Sequence, residues 1–125
     1  MEIKKMIISN SSVTENRPWG SFTILLDEKD CKVKKIVVKL GERLSLQSHQ
    51  HRSELWKIIS GSGLMTLNDL TYEIVPGDTV TINQKDIHRI QNNGDKDLVF
   101  IEVQTGTYFG EDDIERFEDD YNRIK

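Results

Sequence analysis

The chain has 125 residues and a formal net charge of −4, with 17 Lys and Arg against 21 Asp and Glu. Proteins that bind nucleic acid present a basic face to its phosphates, so this balance predicts no nucleic-acid partner. No apolar run reaches the roughly 18 residues of a membrane span, and we predict no membrane partner. The length predicts a single domain over residues 1–125, and the lone cysteine, Cys31, predicts a cytoplasmic protein without internal disulfides.

Residues 1–16 are predicted to form an N-terminal strand or arm. Its apolar run, residues 3–8, is too short to be the core of a signal peptide. We expect this run to add a strand that pairs with a neighbouring subunit, which predicts a homodimer.

Residues 17–109 have the pattern of an all-β fold. Short runs rich in Val, Ile and Thr alternate with turn residues at intervals near the roughly 8–12 residues typical of sandwiches and barrels. Turn signals such as Pro76-Gly77-Asp78 separate these runs. The predicted strands are residues 21–26, 31–39, 43–49, 55–60, 63–67, 70–74, 79–83, 88–91 and 98–104.

The pattern changes at residue 110. Ile114, Phe117 and Tyr121 recur at steps of three and four residues, with acidic residues before them and Arg123 after them. This spacing predicts a short amphipathic α-helix over residues 110–123, with its acidic runs on the solvated face.

The polar chemistry of the chain is concentrated between Gly41 and Gly61. This segment resembles the first cupin motif: a glycine, five residues, two ligands separated by one residue, three or four residues, a glutamate, six residues and a glycine. The pair Gln47 and His49 fits every spacing up to Glu54. The alternative pair, His49 and His51, leaves two residues before the glutamate and seven after the glycine, so we prefer Gln47 and His49.

A second segment, residues 77–92, resembles the second cupin motif. Gly77, His88 and Asn92 stand at the family spacing, whereas Asn83 replaces the usual proline and Lys85 the usual glycine. The resemblance implies a cupin fold, a jelly-roll or double-stranded β-helix barrel, with a turn before His88 that is built differently.

Gln47, His49, Glu54 and His88 are the predicted metal ligands. Alternate residues of a strand point to one face, so Gln47 and His49 share a face, and Glu54 opens the next strand. Two imidazoles, a carboxylate and an amide oxygen suit one divalent ion of Zn, Mn, Fe, Co or Ni.

Most of the chain, from Arg17 to Arg123, resembles the type II mannose-6-phosphate isomerases, whose cupin domain is often fused to a mannose-1-phosphate guanylyltransferase. Residues 17–22, 41–49, 51–56, 101–114 and 116–121 carry the resemblance. It implies a metal-dependent enzyme of GDP-mannose supply that interconverts mannose 6-phosphate and fructose 6-phosphate. Leu40, Gln50 and Leu55 depart from the family pattern.

That chemistry assigns roles to further residues. Moving a carbonyl between two carbons requires a proton shuttle and stabilisation of an enediolate, and we predict Glu102 and His51 as the catalytic groups. The phosphate of the sugar requires cations. The predicted substrate-binding residues are Arg17, Arg43, Arg89 and Lys57, with Arg52 behind them.

Two other functions stay open from the sequence. One is a cupin epimerase or ketoisomerase of a nucleotide-linked sugar, which would use a histidine base without a metal. The other is a non-catalytic cupin that binds a sugar or a metal and partners a separate guanylyltransferase.

Overall fold

The computed structural model of the protein describes residues 13–121 and Arg123. These residues form eleven strands and no helix, so none of the described chain is a helix capable of crossing a membrane. The strands are β1 (Val13–Arg17), β2 (Gly20–Asp27), β3 (Cys31–Val38), β4 (Leu46–Ser48), β5 (Arg52–Ser60), β6 (Gly63–Leu67), β7 (Leu70–Ile74), β8 (Thr79–Ile82), β9 (His88–Gln91), β10 (Leu98–Gly106) and β11 (Glu115–Glu118).

The strands form two antiparallel sheets that enclose one apolar core. The larger sheet has the order β1-β2-β3-β10-β5-β8, and the smaller has the order β11-β4-β9-β6-β7. Strands β5 and β10 are neighbours inside the larger sheet and alternate buried and more exposed residues, as expected when one face packs inward. Trp56 of β5 stacks on Phe100 of β10, with ring centroids 4.4 Å apart, and Met65 of the smaller sheet is fully buried in the same core.

The all-β prediction is confirmed, and strands β2 to β10 lie where the sequence pattern predicts them, with ends that differ by a few residues. The largest difference is β4, which is limited to three residues. Strand β1 falls in the predicted N-terminal arm and pairs with β2 at the edge of the larger sheet. The predicted strand at residues 3–8 lies outside the described residues.

The predicted C-terminal helix is wrong. Residues 115–118 form β11 instead, which pairs antiparallel with β4 and closes the open edge of the smaller sheet. A register shift between Arg116 and Glu118 breaks the alternation of this strand at Phe117, whereas Ile114 and Tyr121 lie outside it. Backbone pairing with the edge of β4 therefore outweighs the helical spacing of the side chains.

Candidate metal centre and its cavity

Three buried side chains meet between the two sheets at the ends of β4, β5 and β9. One nitrogen each of His49 and His88 and one carboxylate oxygen of Glu54 all lie within 4.8 Å of one another. His49 Nε2 is 3.3 Å and His88 Nε2 is 3.9 Å from the two oxygens of Glu54. Three of the four predicted metal ligands are thus brought together.

The other ring nitrogen of each histidine is held by a backbone carbonyl. His49 Nδ1 donates to the carbonyl of Asp113 at 2.6 Å, and His88 Nδ1 donates to the carbonyl of Asp86 at 3.0 Å. A proton on Nδ1 leaves the lone pair on Nε2, and both Nε2 atoms face Glu54. Histidines that bind metals are held in this way, with one nitrogen on a carbonyl or carboxylate and the other on the ion.

Both histidines are neutral at neutral pH. Burial lowers the pKa of His49 to about 4, and the nearby positive charge of Arg52 lowers it further. Burial also lowers the pKa of His88. Neutral imidazoles and a carboxylate are the protonation states that a divalent ion requires, so this donor set fits the predicted cofactor.

The turn before His88 is built without the family's proline and glycine. Lys85 takes the glycine position with a φ of 72°, in the left-handed region that a side chain rarely adopts. Its backbone N–H donates to the carbonyl of His49 at 2.7 Å, and the carboxylate of Asp86 accepts from the backbone of Asn83 at 2.9 Å. The substituted turn thus keeps the left-handed conformation and ties the loop of His88 to that of His49.

Arg52 occupies the space beside the three donors. Its Nε donates to Glu54 at 2.8 Å, and one of its terminal nitrogens lies 3.3 Å from His49 Nε2. These are lone pairs that a metal ion would also use. A bound metal and the Arg52 guanidinium therefore compete for the same atoms of His49 and Glu54.

Glu102 lies next to this centre on β10 and is only 6% exposed. Trp56 Nε1 donates to both Glu54 and Glu102, at 2.9 and 3.2 Å, and Gln104 Nε2 donates to Glu102 at 2.8 Å. Burial, with the neighbouring charge of Glu54, raises the pKa of Glu102 to about 8. In the metal-free chain Glu102 is therefore mostly protonated at neutral pH, with its ionised form close enough in free energy to act as a base.

A cavity lies beside the centre, bounded on that side by Arg52 and Glu102, and extends to the C-terminal segment. Its wall includes Gln47 and Glu102 together with several cationic side chains. The amide nitrogen of Gln47 donates to the carbonyl and the hydroxyl of Ser45, at 3.3 and 2.9 Å. The cationic side chains in the wall are Arg17, Lys34, Arg52, Arg116 and Arg123.

Arg116 differs from the other cations of the wall. Arg17 is paired with Glu15, Lys34 with Glu111 and Arg123 with Asp119. Arg116 makes no ion pair with any described residue, and its Nε is buried without a hydrogen-bond partner among them. Burial and the nearby charge of Arg123 lower its pKa. The carboxylates of Asp119 and Glu111 act on Arg116 only from a distance, and an anion in the cavity could supply a direct partner.

Of the predicted substrate-binding residues, one lies on the wall of the cavity and three lie elsewhere. Arg17 lines the cavity. Arg43 is paired with Asp120, and Arg89 donates to the carboxylate of Glu118 and to the carbonyl of Leu44. Lys57 is exposed on the outward-facing side of β5 and donates to the carbonyl of Gly77.

His51, one of the two predicted catalytic groups, lies apart from the cavity. Its exposed ring lines a surface depression with Tyr108, whose ring centroid is 6.3 Å away. Only Glu102 of the predicted pair is buried beside the metal centre.

Sequence reasoning missed Lys34, Arg116 and Arg123 as cavity residues. Lys34 carries one sequence signal, because it alternates on β3 with the apolar residues Ile36 and Val38, which are buried as Lys34 is. Arg116 and Arg123 were assigned to a solvated helix, which hid their position on the wall of the cavity.

The chain is similar to known proteins in both fold and sequence. The staphylococcal capsular polysaccharide assembling protein CapF superposes with a TM-score of 0.79 over 91% of this chain and 34% of its own, at 22% identity, and the chain has the cupin fold. Residues 6–119 match the family model described as Mannose-6-phosphate isomerase C-terminal, and the chain belongs to that family.

The relatives in sequence are much longer proteins. Alginate biosynthesis protein AlgA of Pseudomonas aeruginosa is 42% identical over 97% of this chain and 26% of its own length. Mannose-1-phosphate guanylyltransferase RfbM of Salmonella typhimurium is 40% identical over 82% of this chain and 21% of its own length. The chain thus spans about a quarter or less of the curated relatives it matches.

Proposed function

We propose that the chain is a metal-dependent aldose–ketose isomerase that interconverts mannose 6-phosphate and fructose 6-phosphate. One observation carries the proposal: a chain of this family holds a buried His49, Glu54 and His88 centre beside a cavity with a cationic wall. The centre provides for the carbonyl chemistry and the wall for the phosphate. The cytoplasmic location and the homodimer stay predictions from the sequence. Light scattering would measure the mass of the homodimer.

His49, Glu54 and His88, with Gln47 as the predicted fourth ligand, would hold the ion. When bound, a divalent metal supplies Lewis acidity that stabilises negative charge on a substrate oxygen. The chain's own part is to present neutral imidazoles through their Nε2 atoms and to keep the site away from bulk water, since the three donors are at most 4% exposed.

Glu102 is the group we assign to proton transfer. A pKa of about 8 makes both protonation states accessible near neutral pH, so the carboxylate would take a proton from a substrate carbon and the acid would return it to the adjacent carbon. The hydrogen bonds from Trp56 and Gln104 fix the carboxyl group at the edge of the cavity. His51 is less suited, because it lies in a different depression.

Arg116 and Arg17 are the residues we assign to the phosphate, with Arg123 beside them. Guanidinium groups match phosphate oxygens in geometry and charge, and Arg116 is the one that has no counter-ion among the described residues. Of the four cations predicted from the sequence, Arg17 keeps this role. Arg43, Arg89 and Lys57 are occupied elsewhere.

The test is direct. The purified chain, stripped of metal and reconstituted in turn with Zn, Mn, Co, Fe and Ni, is mixed with fructose 6-phosphate in deuterated water. We expect mannose 6-phosphate that carries deuterium at C2, because a shuttled proton exchanges with solvent. Glu54→Ala should abolish turnover, whereas Lys57→Gln, on the outer face, should leave it unchanged.

Three results would contradict the proposal. Absence of turnover with every metal, in protein shown to be folded and loaded, rejects the isomerase. Turnover of a nucleotide-linked sugar that survives complete metal removal would instead favour the epimerase or ketoisomerase. Stabilisation by sugar phosphates without turnover would favour a binding protein.

A further inference from the structure

We propose that Asp113 is a positioning residue of the metal centre, which fixes the loop of His49 and the tautomer in which that histidine presents Nε2. The proposal rests on the assignment of His49, Glu54 and His88 as metal ligands. Asp113 is not a predicted metal ligand and does not line the cavity, and its sequence pattern predicts the solvated face of a helix.

Asp113 contacts three consecutive residues of the loop between β4 and β5. Its backbone carbonyl accepts from His49 Nδ1 at 2.6 Å. Its carboxylate oxygens accept separately from the backbone N–H groups of Gln50, at 3.0 Å, and His51, at 2.9 Å. The residue is 7% exposed, so little water competes for these bonds. The side chain of Asp113 thus binds the loop, while the backbone carbonyl of the same residue orients His49.

The two kinds of contact depend on each other. The carbonyl of Asp113 can meet His49 only while the C-terminal segment lies against the loop, and the carboxylate holds it there. Asp113 is itself fixed by a turn, in which its N–H donates to the carbonyl of Gly110 at 3.1 Å. The pairing of β11 with β4, which starts at Glu115 opposite Ser48, also holds the segment near the loop. Within residues 110–113, however, the other described contacts to the loop all belong to the carboxylate, so without it the carbonyl would lose its orientation toward Nδ1.

Only an aspartate meets this geometry. Two adjacent N–H donors require two acceptor oxygens on a short side chain, which asparagine does not have, because its amide nitrogen is a donor. Glutamate has the oxygens but adds a methylene to a buried contact. We therefore expect graded effects, with Asp113→Asn milder than Asp113→Ala.

The experiment measures the metal and the tautomer separately. Co²⁺ is titrated into metal-free wild type, Asp113→Asn and Asp113→Ala, with its visible absorption recorded, and the ring nitrogens of His49 are followed by ¹⁵N NMR without metal. Asp112→Asn is the matched control, because this neighbouring carboxylate is exposed and bonds only to Tyr108 among the described residues. Thermal unfolding shows that each variant is folded.

We expect both Asp113 variants to bind Co²⁺ about 10–100-fold more weakly, as is typical when the partner of a ligating histidine is disturbed. Their Co²⁺ spectra should change, and the NMR signals should show a mixture of His49 tautomers. Asp112→Asn should behave as wild type. A residue with only a structural role would lower the unfolding temperature without changing the spectrum or the tautomer.

The two proposals fail in different ways. If wild type binds no Co²⁺, or binds it equally well after His88→Asn, the metal centre is wrong and the role of Asp113 toward it falls as well. If wild type binds Co²⁺ at this centre and folded Asp113→Asn and Asp113→Ala bind it with the same affinity, spectrum and tautomer, the positioning role alone is overturned.

Discussion

Gln47 lies directly opposite His88 in the antiparallel pairing of β4 with β9. Directly opposed residues point to the same face of a sheet, so the Gln47 amide and the His88 imidazole emerge side by side toward the buried centre. Hydrogen bonds to Ser45 hold the amide nitrogen and leave the oxygen for another partner. This relationship supports Gln47, rather than His51, as the fourth metal ligand.

The first prediction therefore compares Gln47→Leu with His51→Asn. Loss of an inner ligand should weaken metal binding about tenfold or more, whereas His51→Asn changes an exposed ring outside the centre and should leave affinity unchanged. Competition with a chromophoric chelator measures both. Weaker binding by His51→Asn together with normal binding by Gln47→Leu would reverse the assignment.

The second prediction concerns Arg116. Because its guanidinium has no ion pair with a described residue, Arg116→Gln should reduce affinity for a phosphorylated sugar rather than stability. A lost charged hydrogen bond is worth about 1.5–3 kcal/mol, which corresponds to a rise in KM of roughly 10–100-fold with a smaller change in kcat.

Arg43→Gln is the control for Arg116→Gln. Arg43 is paired with Asp120 at the surface and does not line the cavity. Its replacement should leave KM near the wild-type value. Equal effects of the two replacements would show that the cavity does not bind the phosphate.

The third prediction is a loss of stability in acid for the metal-free protein. His49 has a pKa of about 4 in the folded chain against an ordinary value of 6.5. Between these values the unfolded chain binds a proton that the folded chain does not, so the free energy of unfolding falls as pH falls through this window. His49 contributes up to about 3 kcal/mol, and His88 acts in the same direction.

Urea unfolding at several pH values between about 4 and 8 measures this loss. His49→Gln should remove its share of the slope, whereas His51→Asn should keep the wild-type slope. A wild-type stability that does not change across the window would contradict the neutral, buried state of His49.

The fourth prediction concerns Glu102, which shifts in the opposite direction. Its pKa is about 8 in the folded chain against an ordinary value of 4.5, so between these values the folded chain keeps a proton that the unfolded chain has released. The stability of the metal-free protein should therefore decrease as pH rises through this window, and Glu102→Gln, which resembles the protonated acid, should remove the decrease.

The same variant separates stability from catalysis. The amide of Gln104, whose oxygen has no hydrogen-bond partner among the described residues, can rotate to accept from the new amide of Glu102→Gln. The fold and the metal affinity should persist, while isomerisation and solvent exchange are lost. Full activity in Glu102→Gln would exclude Glu102 as the proton-transfer group.

The fifth prediction links the anion and the metal. Residues 113 and 116 belong to one short segment, which contacts the His49 loop through Asp113 and the cavity through Arg116. Inorganic phosphate should therefore raise the affinity for Co²⁺, and Co²⁺ should raise the affinity for phosphate by the same factor. Calorimetry measures both, and independent binding would contradict the link.

Local patterns were enough to predict most of the fold and the heart of the site. Alternation and turn residues locate β2 to β10, and spacing brings His49, Glu54 and His88 together. The remainder depends on distant pairings. Strand β1 is short, polar and mostly exposed, and β11 has helical spacing but is fixed by the edge of β4.

The hydrogen-bond partner of His49 likewise could not be predicted from local sequence patterns. It is a backbone carbonyl 64 positions along the chain, and a carbonyl has no signature in the amino-acid sequence. Likewise, Arg52 is close to Glu54 in sequence, but only the fold shows that it contacts two of the metal donors at once.

The position of Asp113 in the chain affects when the centre can form. A ribosome makes β4, β5 and β9, which carry the ligands, before residues 110–118, which supply the acceptor for His49 and part of the cavity wall. Until that segment emerges, His88 already has its carbonyl partner at Asp86, but His49 has none. We therefore expect the proposed centre to reach full metal affinity only after the other strands have been made, and cleavage after Phe109 to weaken metal binding while ten of the eleven described strands remain.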